Sequence, residues 1–294
     1  MDQAKIARWC QALLLPEETD LVRSSLRELA DYFGISVAEA QCACETALAD
    51  SKREWESAPR QGPDQILDFY DRTRSYIFEH VWWHAVDEGV GAANVEILDY
   101  AARCGARHYL DFGSGVGANA ILFARQGLNV TLADVSRTML EFARWRLERR
   151  GLKATYIYLR QQDLPRGHFD FATAVDVFEH LVNPAAEMRR LSASLRPGGV
   201  MVFNCRPGRD PQRPMHIMPN MRPIFRELRH SGLREIGPGA KPLRDLGYYA
   251  VRRGGQWRLA DLGWGVYDSL RYGPAAEAGR SLLKVFLARR DAAR

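Results

Sequence analysis

The residues of this sequence that could do chemistry begin with an aspartate followed by a run of glycines. Within residues 108–119, Asp111 precedes Gly113, Gly115 and Gly117. The apolar residues before them predict a short buried strand, and the glycines let the backbone turn where a Cβ atom would block a ligand. A helix is predicted to follow at once, with its free N–H groups and positive dipole end facing the turn. This arrangement is typical of a nucleotide-like cofactor site.

Two further acids decide which cofactor the glycine turn would hold, because the glycines alone also match a dinucleotide-binding pattern. Asp134 lies 21 residues past Gly113 at the end of a second predicted strand, where it could accept both ribose hydroxyls. Asp163 follows a third predicted strand and is placed to receive an exocyclic adenine amine. Asp111 would repel a pyrophosphate. Together the three acids favour a cationic adenosine derivative.

Five motifs in this order resemble the class I S-adenosylmethionine-dependent methyltransferases of the small-molecule type. They are residues 111–117, 132–135, the Asp163 loop, 169–176 and 195–199. The resemblance covers residues 107–205 and implies an α/β fold: a doubly wound, Rossmann-like sheet of seven mostly parallel strands, the last antiparallel. S-adenosyl-L-methionine is the implied co-substrate. The implied cofactor-binding residues are Asp111, Gly113, Ser114, Gly115, Gly117, Asp134, Val135, Asp163, Leu164 and Asp176.

An aromatic segment, residues 68–84, is predicted to form a helical arm before the first strand. In related methyltransferases such an arm lies over the cofactor, and an aromatic hydroxyl from it can reach the methionine carboxylate. The resemblance therefore makes Tyr70 and Tyr76 cofactor-binding candidates. They are six residues apart, so a helix break near Thr73 would be needed for both to face inward. Core packing accounts equally well for the apolar residues around them.

The reaction itself is predicted after the fourth and fifth strands. Ligands bind outside the carboxyl ends of parallel strands, which places Asp176 and His180 near the chemistry. His216, in the loop after the fifth strand, is the titratable base of that loop and is predicted to be a general base or a substrate-orienting residue. Asp176 is the other catalytic candidate. The candidate substrate-binding residues are His180, His216, Tyr248 and Tyr249.

The predicted domain organisation is a helical N-terminal cap over residues 1–62 and a methyltransferase domain over residues 63–294. Residues 63–106 would be the helical arm, and residues 240–280 a substrate-side insertion. The insertion would contain a hairpin at 248–259 and aromatic side chains at Trp264, Tyr267 and Tyr272. The last, antiparallel strand is predicted at residues 282–287. Deletion of the cap is expected to leave a folded sheet.

The cap resembles a helix-turn-helix around Gly34, so DNA binding has to be weighed. Ser36 and Glu39 predict a capping box at the start of the third helix. That helix carries Glu39, Glu45 and Asp50 and no basic residue before Lys52, so it would repel phosphates. Nucleic acid is therefore disfavoured as a partner, and a cap or a homodimer surface is predicted instead.

Composition agrees with a cytoplasmic globular protein. No apolar run approaches the length of a membrane span, no secretory leader is evident, and the five cysteines lack metal-site spacing. Glu179, His180 and His216 also lack a compact ligand spacing, so no metal site is predicted. Residues 206–258 carry twelve basic and four acidic side chains, a net charge of +8. This segment could attract an anionic partner, although a solvated surface would account for it.

The function implied by the resemblance is methyl transfer to an O, N or C nucleophile of a small molecule. A dehydrogenase of the same fold is weakened by Asp111 and by the absence of a Tyr-x-x-x-Lys pair. Base methylation is disfavoured because the loop after the fourth strand lacks an Asn-Pro-Pro-Tyr or Asp-Pro-Pro-Tyr motif. Two alternatives stay open: a nucleic-acid- or protein-directed methyltransferase that uses the basic segment, and a non-catalytic cofactor-binding module.

Overall fold

The computed structural model describes residues 2–208 and 210–254, which form one seven-stranded sheet with helices on both faces. The strands are β1 His108–Phe112, β2 Asn129–Asp134, β3 Thr155–Tyr158, β4 Phe169–Ala174, β5 Leu195–Phe203, β6 Leu233–Glu235 and β7 Tyr249–Arg253. The helices are α1 Gln3–Leu13, α2 Leu21–Phe33, α3 Val37–Ser57, α4 Pro63–Arg72, α5 Ser75–Val86, α6 Glu88–Arg103, α7 Ala118–Arg125, α8 Arg137–Arg149, α9 Pro184–Ser194, α10 Arg222–His230 and α11 Lys241–Asp245.

The strand order is β3-β2-β1-β4-β5-β7-β6, with β1 to β5 parallel and β7 antiparallel to both of its neighbours. All six residues of β4 are buried, as expected for a central strand covered on both faces. Because the parallel strands end at one edge, Asp111 of β1 and Asp134 of β2 lie on that edge together with the loop after β4. The predicted fold class is confirmed.

The antiparallel strand lies elsewhere than the sequence predicted. Tyr249–Arg253 was assigned to one arm of a separate hairpin, but it pairs with both β5 and β6 as β7. Residues 249–253 are therefore part of the sheet and not of a separate hairpin. The rest of the predicted hairpin, Trp264, Tyr267, Tyr272 and the predicted strand 282–287 lie outside the described residues.

The N-terminal helices have the predicted local signals. Gly34 ends α2 with a left-handed φ of 67°, and Ser36 and Glu39 form the capping box of α3. The second helix begins at Leu21, where the Asp20 side chain caps it by accepting from Arg23 N. Within residues 2–208 and 210–254, no helix combines the length and apolarity that a membrane crossing requires.

These helices pack on the sheet layer instead of standing apart from it. Trp9 and Leu13 of α1 belong to the same apolar core as Tyr109 of β1 and Phe123 of α7. Arg125 Nε donates to the carbonyl of Ala12 at 2.7 Å. The boundary at residue 62 stays a prediction, but its two sides share one core.

A buried ionic network fastens α2 to α8. Glu28 accepts hydrogen bonds from Arg146 Nε at 3.1 Å and Nη2 at 3.0 Å, and it also pairs with Arg150. Arg146 Nη1 donates to the carbonyl of Val116 in the glycine turn at 2.9 Å. Deletion of residues 1–62 would remove this carboxylate and also expose the apolar core that α1 shares with β1 and α7, so the sheet is no longer expected to survive it.

Candidate functional site

A cavity of about 550 Å³ opens at the carboxyl edge of the sheet, beneath the arm formed by α4 and α5. Pro63, Ile66 and Leu67 of α4 form one apolar side of it, and Leu181 and Val182 lie on its wall after β4. The volume is in the range of small-molecule sites. The predicted site residues on its wall are Tyr70, Tyr76, Gly113, Gly115, Asp134, Val135, Asp176 and His180.

The glycine turn takes the predicted tight path, but its amides are already used. Gly113 N donates to the carbonyl of Ala133 at 2.8 Å, Gly115 N to Asp134 Oδ2 at 2.8 Å, and Gly117 N to the carbonyl of Ser114 at 2.9 Å. Gly113 has a φ of 67°, and a Cβ there would lie 2.5 Å from Val177 Cγ2. The amides of these three glycines are therefore not free to bind a ligand.

Asp134 is held in place by the turn that it closes. Its Oδ2 accepts from Gly115 N and its Oδ1 from Ser136 N, each at 2.8 Å. Burial raises the pKa of Asp134, although these backbone hydrogen bonds act in the opposite direction. Each carboxylate oxygen still has a second lone pair, so the group can accept two further hydrogen bonds from a ligand.

Asp111 lies behind the glycine turn and not on the cavity wall. Its Oδ1 accepts from Thr173 Oγ1 at 3.1 Å, whereas Oδ2 is buried and has no hydrogen-bond partner among the described residues. Burial, with a smaller contribution from the charge of Asp134, raises the pKa of Asp111 to about 7. Ser114 and Gly117 are also off the wall; Gly117 packs against Ala143.

Asp163, which was predicted to accept the adenine amine, does not line the cavity. The side chain of Asp163 is 95% exposed and pairs with Arg190 Nη2 at 2.9 Å, while Leu164 is buried in the core. The loop after β3 turns away from the sheet edge, and Arg160 and Arg190 occupy the wall instead. Neither Asp163 nor Leu164 is therefore brought to the cavity.

The helical arm is interrupted at Thr73, the position at which a break lets Tyr70 and Tyr76 face the same side. Thr73 ends α4, and α5 begins at Ser75. Both tyrosines consequently face the cavity, with ring centroids 5.9 Å apart. Burial raises the pKa of both hydroxyls, so they stay protonated donors.

Asp176 has a strained backbone, with a φ of 51°, a region that few residues other than glycine adopt. Asn204 holds it there: its Oδ1 accepts from Asp176 N at 2.6 Å, and its Nδ2 donates to Asp176 Oδ1 at 2.8 Å. Arg206 Nε lies 3.6 Å from the same oxygen. Strain maintained by such bracing is a feature of functional sites.

Beside Asp176, the predicted histidines form a buried pair. Tyr70 Oη and His180 Nδ1 share a hydrogen bond of 3.1 Å, and the ring of His216 stands perpendicular to that of His180, with centroids 4.8 Å apart. Burial, with the charges of His216 and His80, lowers the pKa of His180 to about 3. Burial also lowers the pKa of His216. His180 is on the cavity wall, whereas His216 lies behind it.

Glu179 sits next to this pair and is almost fully buried, with both carboxylate oxygens unpartnered among the described residues. Burial, and then the charge of Asp176, raises its pKa to about 7. Within residues 2–208 and 210–254, no group of three or more His, Cys, Asp or Glu side chains is arranged to hold a metal ion.

The predicted substrate residues Tyr248 and Tyr249 are not on the cavity wall. Tyr249 stacks on Phe203 at 5.2 Å and contacts Phe225 edge-on, while Tyr248 is buried in the core on the other face. They alternate across the sheet because β7 is a strand of it.

Two residues of the site, His80 and Asn204, were not predicted from the sequence. His80 lies on the cavity wall, four residues after Tyr76 on α5, a spacing that could have identified it. Asn204 directly follows β5, at the edge where ligands bind.

Comparison with known proteins gives one family. The methyltransferase domain model matches residues 82–257, more than half of the 294-residue chain. A ubiquinone biosynthesis O-methyltransferase of Aromatoleum aromaticum is 28% identical over 133 residues, 42% of this chain and 57% of the relative. One of Vibrio parahaemolyticus is 32% identical over 111 residues, 37% of this chain and 47% of the relative.

This chain matches between 57% and 62% of the length of the first three curated relatives, which is less than two thirds of each. A solved phosphoethanolamine N-methyltransferase 2 of Haemonchus contortus with S-adenosyl-L-methionine superposes with a TM-score of 0.49 and 18% identity, covering 65% of this chain and 60% of that one. The domain match encloses the glycine turn, Asp134 and Asp176. The chain therefore belongs to the methyltransferase domain family, as a class I, S-adenosylmethionine-dependent member with a Rossmann-like sheet.

Proposed function

We propose that this chain transfers the methyl group of S-adenosylmethionine to a small-molecule acceptor, with an oxygen nucleophile as the first class to test. The observation that carries this proposal is the single cavity that joins Asp134 and the glycine turn to Asp176, His180 and Tyr70. The curated relatives named above are O-methyltransferases, which supports the choice of an oxygen acceptor.

The residues present fit the cofactor. Asp134 retains lone pairs for a ribose, and Asp111 offers a buried, unpartnered oxygen that suits a nearby cation. The glycine amides are occupied, which suits a cofactor without phosphates better than a dinucleotide. When bound, S-adenosylmethionine supplies an electrophilic methyl group on its sulfonium sulfur.

The residues at the other end would orient the acceptor. The apolar sides formed by α4 and by Leu181 and Val182 would exclude water, while Tyr70 and His180 present polar atoms to the acceptor. Asp176 would take the proton of the nucleophile, because its Oδ1 is braced by Asn204 and no described residue hydrogen-bonds its Oδ2.

The basic segment is better explained by contacts within the chain than by an external polyanion. Arg244 pairs with Glu235 at 2.9 Å, Arg206 lies next to Asp176, and Arg253 donates to the carbonyl of Ala193 at 2.9 Å. These contacts account for part of the positive charge that the sequence places there. The homodimer through the N-terminal helices stays a prediction.

The test of the proposed function is formation of S-adenosylhomocysteine with a panel of phenols, catechols, amines and carboxylic acids. We expect product with at least one phenolic or catecholic acceptor and none without acceptor. Tight cofactor binding without turnover on any of the small molecules would favour the non-catalytic module instead.

Asp134→Ala should weaken S-adenosylmethionine binding by roughly 1 to 3 kcal/mol, because the ribose hydroxyls lose a charged acceptor. Isothermal calorimetry measures this directly. Asp163→Ala is the matched control: this acid was predicted to accept the adenine amine of the same cofactor, but its side chain is exposed and off the wall. Equal affinities for the wild type and Asp134→Ala would place the ribose elsewhere.

His216→Ala should lower kcat by about 10- to 100-fold, the range for a misplaced catalytic group, and leave cofactor affinity unchanged. The His216 ring packs against the His180 ring from the side away from the cavity, so its removal would let His180 move on the cavity wall. Steady-state kinetics and calorimetry together check both parts. Turnover close to that of the wild type would show that His216 has neither a catalytic nor an orienting role.

A further inference from the structure

Two side chains on one face of α5 present unused hydrogen-bonding atoms to the cavity. Tyr76 and His80 are four residues apart, so they lie on the same side of the helix, and both are on the wall. Their rings pack with centroids 5.4 Å apart. In the part of the chain that the structure describes, neither Tyr76 Oη nor a ring nitrogen of His80 forms a hydrogen bond.

His80 faces the glycine turn. A Cβ atom built on Gly115 would lie 3.3 Å from His80 Nδ1, so this nitrogen directly covers the turn. Burial lowers the pKa of His80, although the charges of Glu79 and Asp176 act in the opposite direction. His80 therefore lies over the turn on the wall of the same cavity that Asp176 lines.

Several of the other donors near this position already have partners. The amides of Gly113, Gly115 and Gly117 are bonded within the turn. On the wall itself, the guanidinium of Arg160 pairs with Asp68 at 2.7 Å, that of Arg190 with Asp163, and Tyr70 shares its hydrogen bond with His180. A carboxylate that enters the cavity directly over the turn would thus meet the side-chain donors of Tyr76 and His80, which form no described hydrogen bond.

We propose that His80, together with Tyr76, binds the carboxylate at the amino-acid end of S-adenosylmethionine. The inference rests on the proposed function, since it requires the cofactor to lie with its ribose at Asp134. A charged carboxylate must be hydrogen-bonded when it leaves water, because an unpaired buried charge is costly. Neutral N–H and O–H donors on a rigid helix meet that requirement without a competing counterion.

Two ligands that differ only in this end of the cofactor test the assignment. S-adenosylhomocysteine carries the amino-acid group, whereas 5′-methylthioadenosine has the same adenosine and thioether without it. We expect His80→Ala to weaken S-adenosylhomocysteine by about 10- to 100-fold, the range for losing a hydrogen bond to a charged group, and to leave 5′-methylthioadenosine unchanged in calorimetry. Tyr76→Phe should act in the same direction, and His80→Gln, which keeps an N–H donor, should restore part of the affinity.

Two controls make the result specific. His84→Ala, one turn along α5 and off the cavity wall, should leave the ratio of the two affinities unchanged, so it tests for a general effect of altering the helix. Asp134→Ala should weaken both ligands. If His80→Ala and His80→Gln weakened both ligands equally, or neither, the carboxylate assignment would be wrong while the proposed function stood. If the wild type bound neither ligand, the proposed function itself would fail.

Discussion

Glu28→Ala is expected to lower the free energy of unfolding by about 3 to 5 kcal/mol, the range for removing one partner of a buried ion pair. Glu28 is fully buried and receives two hydrogen bonds from Arg146 and one from Arg150. Arg146 belongs to α8 and Arg150 directly follows it, so the substitution would leave two buried guanidinium groups without their carboxylate. Urea denaturation at neutral pH measures the loss.

A second ion pair between the same helices is the matched control. Arg149 Nη2 lies 2.6 Å from Asp31 Oδ2, but the side chain of Asp31 is 44% exposed. Such exposed pairs contribute about 0 to 1 kcal/mol, so Asp31→Asn should change stability little. If Glu28→Ala cost no more than Asp31→Asn, the buried ion pairs of Glu28 would contribute no more to stability than an exposed pair, contrary to the expectation.

The contribution of Glu28 should also depend on pH. Burial alone would raise the pKa of Glu28, but Arg146 and Arg150 outweigh it and lower the pKa below its ordinary value. Stability from a carboxyl whose pKa is lowered on folding is present above the unfolded pKa, about 4.3 for glutamate, and is lost as the pH falls through the folded value. The difference in stability between the wild type and Glu28→Ala should therefore shrink as the pH falls below the unfolded pKa of glutamate.

The predictable part of the fold is the part encoded by local patterns. The buried runs of β1, β2 and β4, the glycine turn and the capping box of Ser36 each depend on neighbouring residues, and the sequence predicts them correctly. Strand β7 was misassigned because a sheet strand and a hairpin arm have the same alternation, and only the partner strand distinguishes them. Likewise, an acidic residue at Glu28 looks solvent-exposed until α8 supplies two arginines 118 and 122 residues away.

In the candidate site, too, the residues that the sequence could not place are those that depend on tertiary contacts. Asp134 and Asp176 were found because parallel strands put their carboxyl ends on one edge. The position of Asp163 was not predicted because the loop after β3 takes a direction that its sequence does not specify, and the exposed carboxylate pairs with Arg190 instead of lining the cavity. His80 was missed because its role depends on how α5 lies over Gly115, which is a tertiary contact.

Asp176→Asn should reduce kcat by about 10²- to 10⁴-fold, the contribution of a positioned general base, with little change in cofactor affinity. Asparagine is the informative substitution, because it tolerates the left-handed backbone at this position and its side-chain oxygen can still accept from Asn204 Nδ2. Asp176→Ala would instead combine the loss of the carboxylate with backbone strain, so its effect would be harder to assign.

The measurement compares kcat, KM and cofactor affinity, using the acceptor that yields most S-adenosylhomocysteine in the panel. A fall in kcat with an unchanged melting temperature and an unchanged dissociation constant would assign the proton acceptor to the Asp176 carboxylate. Because the charge of Asp176 helps to raise the pKa of Glu179, the substitution should also lower the pKa of that buried acid. A kcat close to that of the wild type would contradict the role of Asp176 and make His180, which also presents a polar atom at this end of the cavity, the next residue to test.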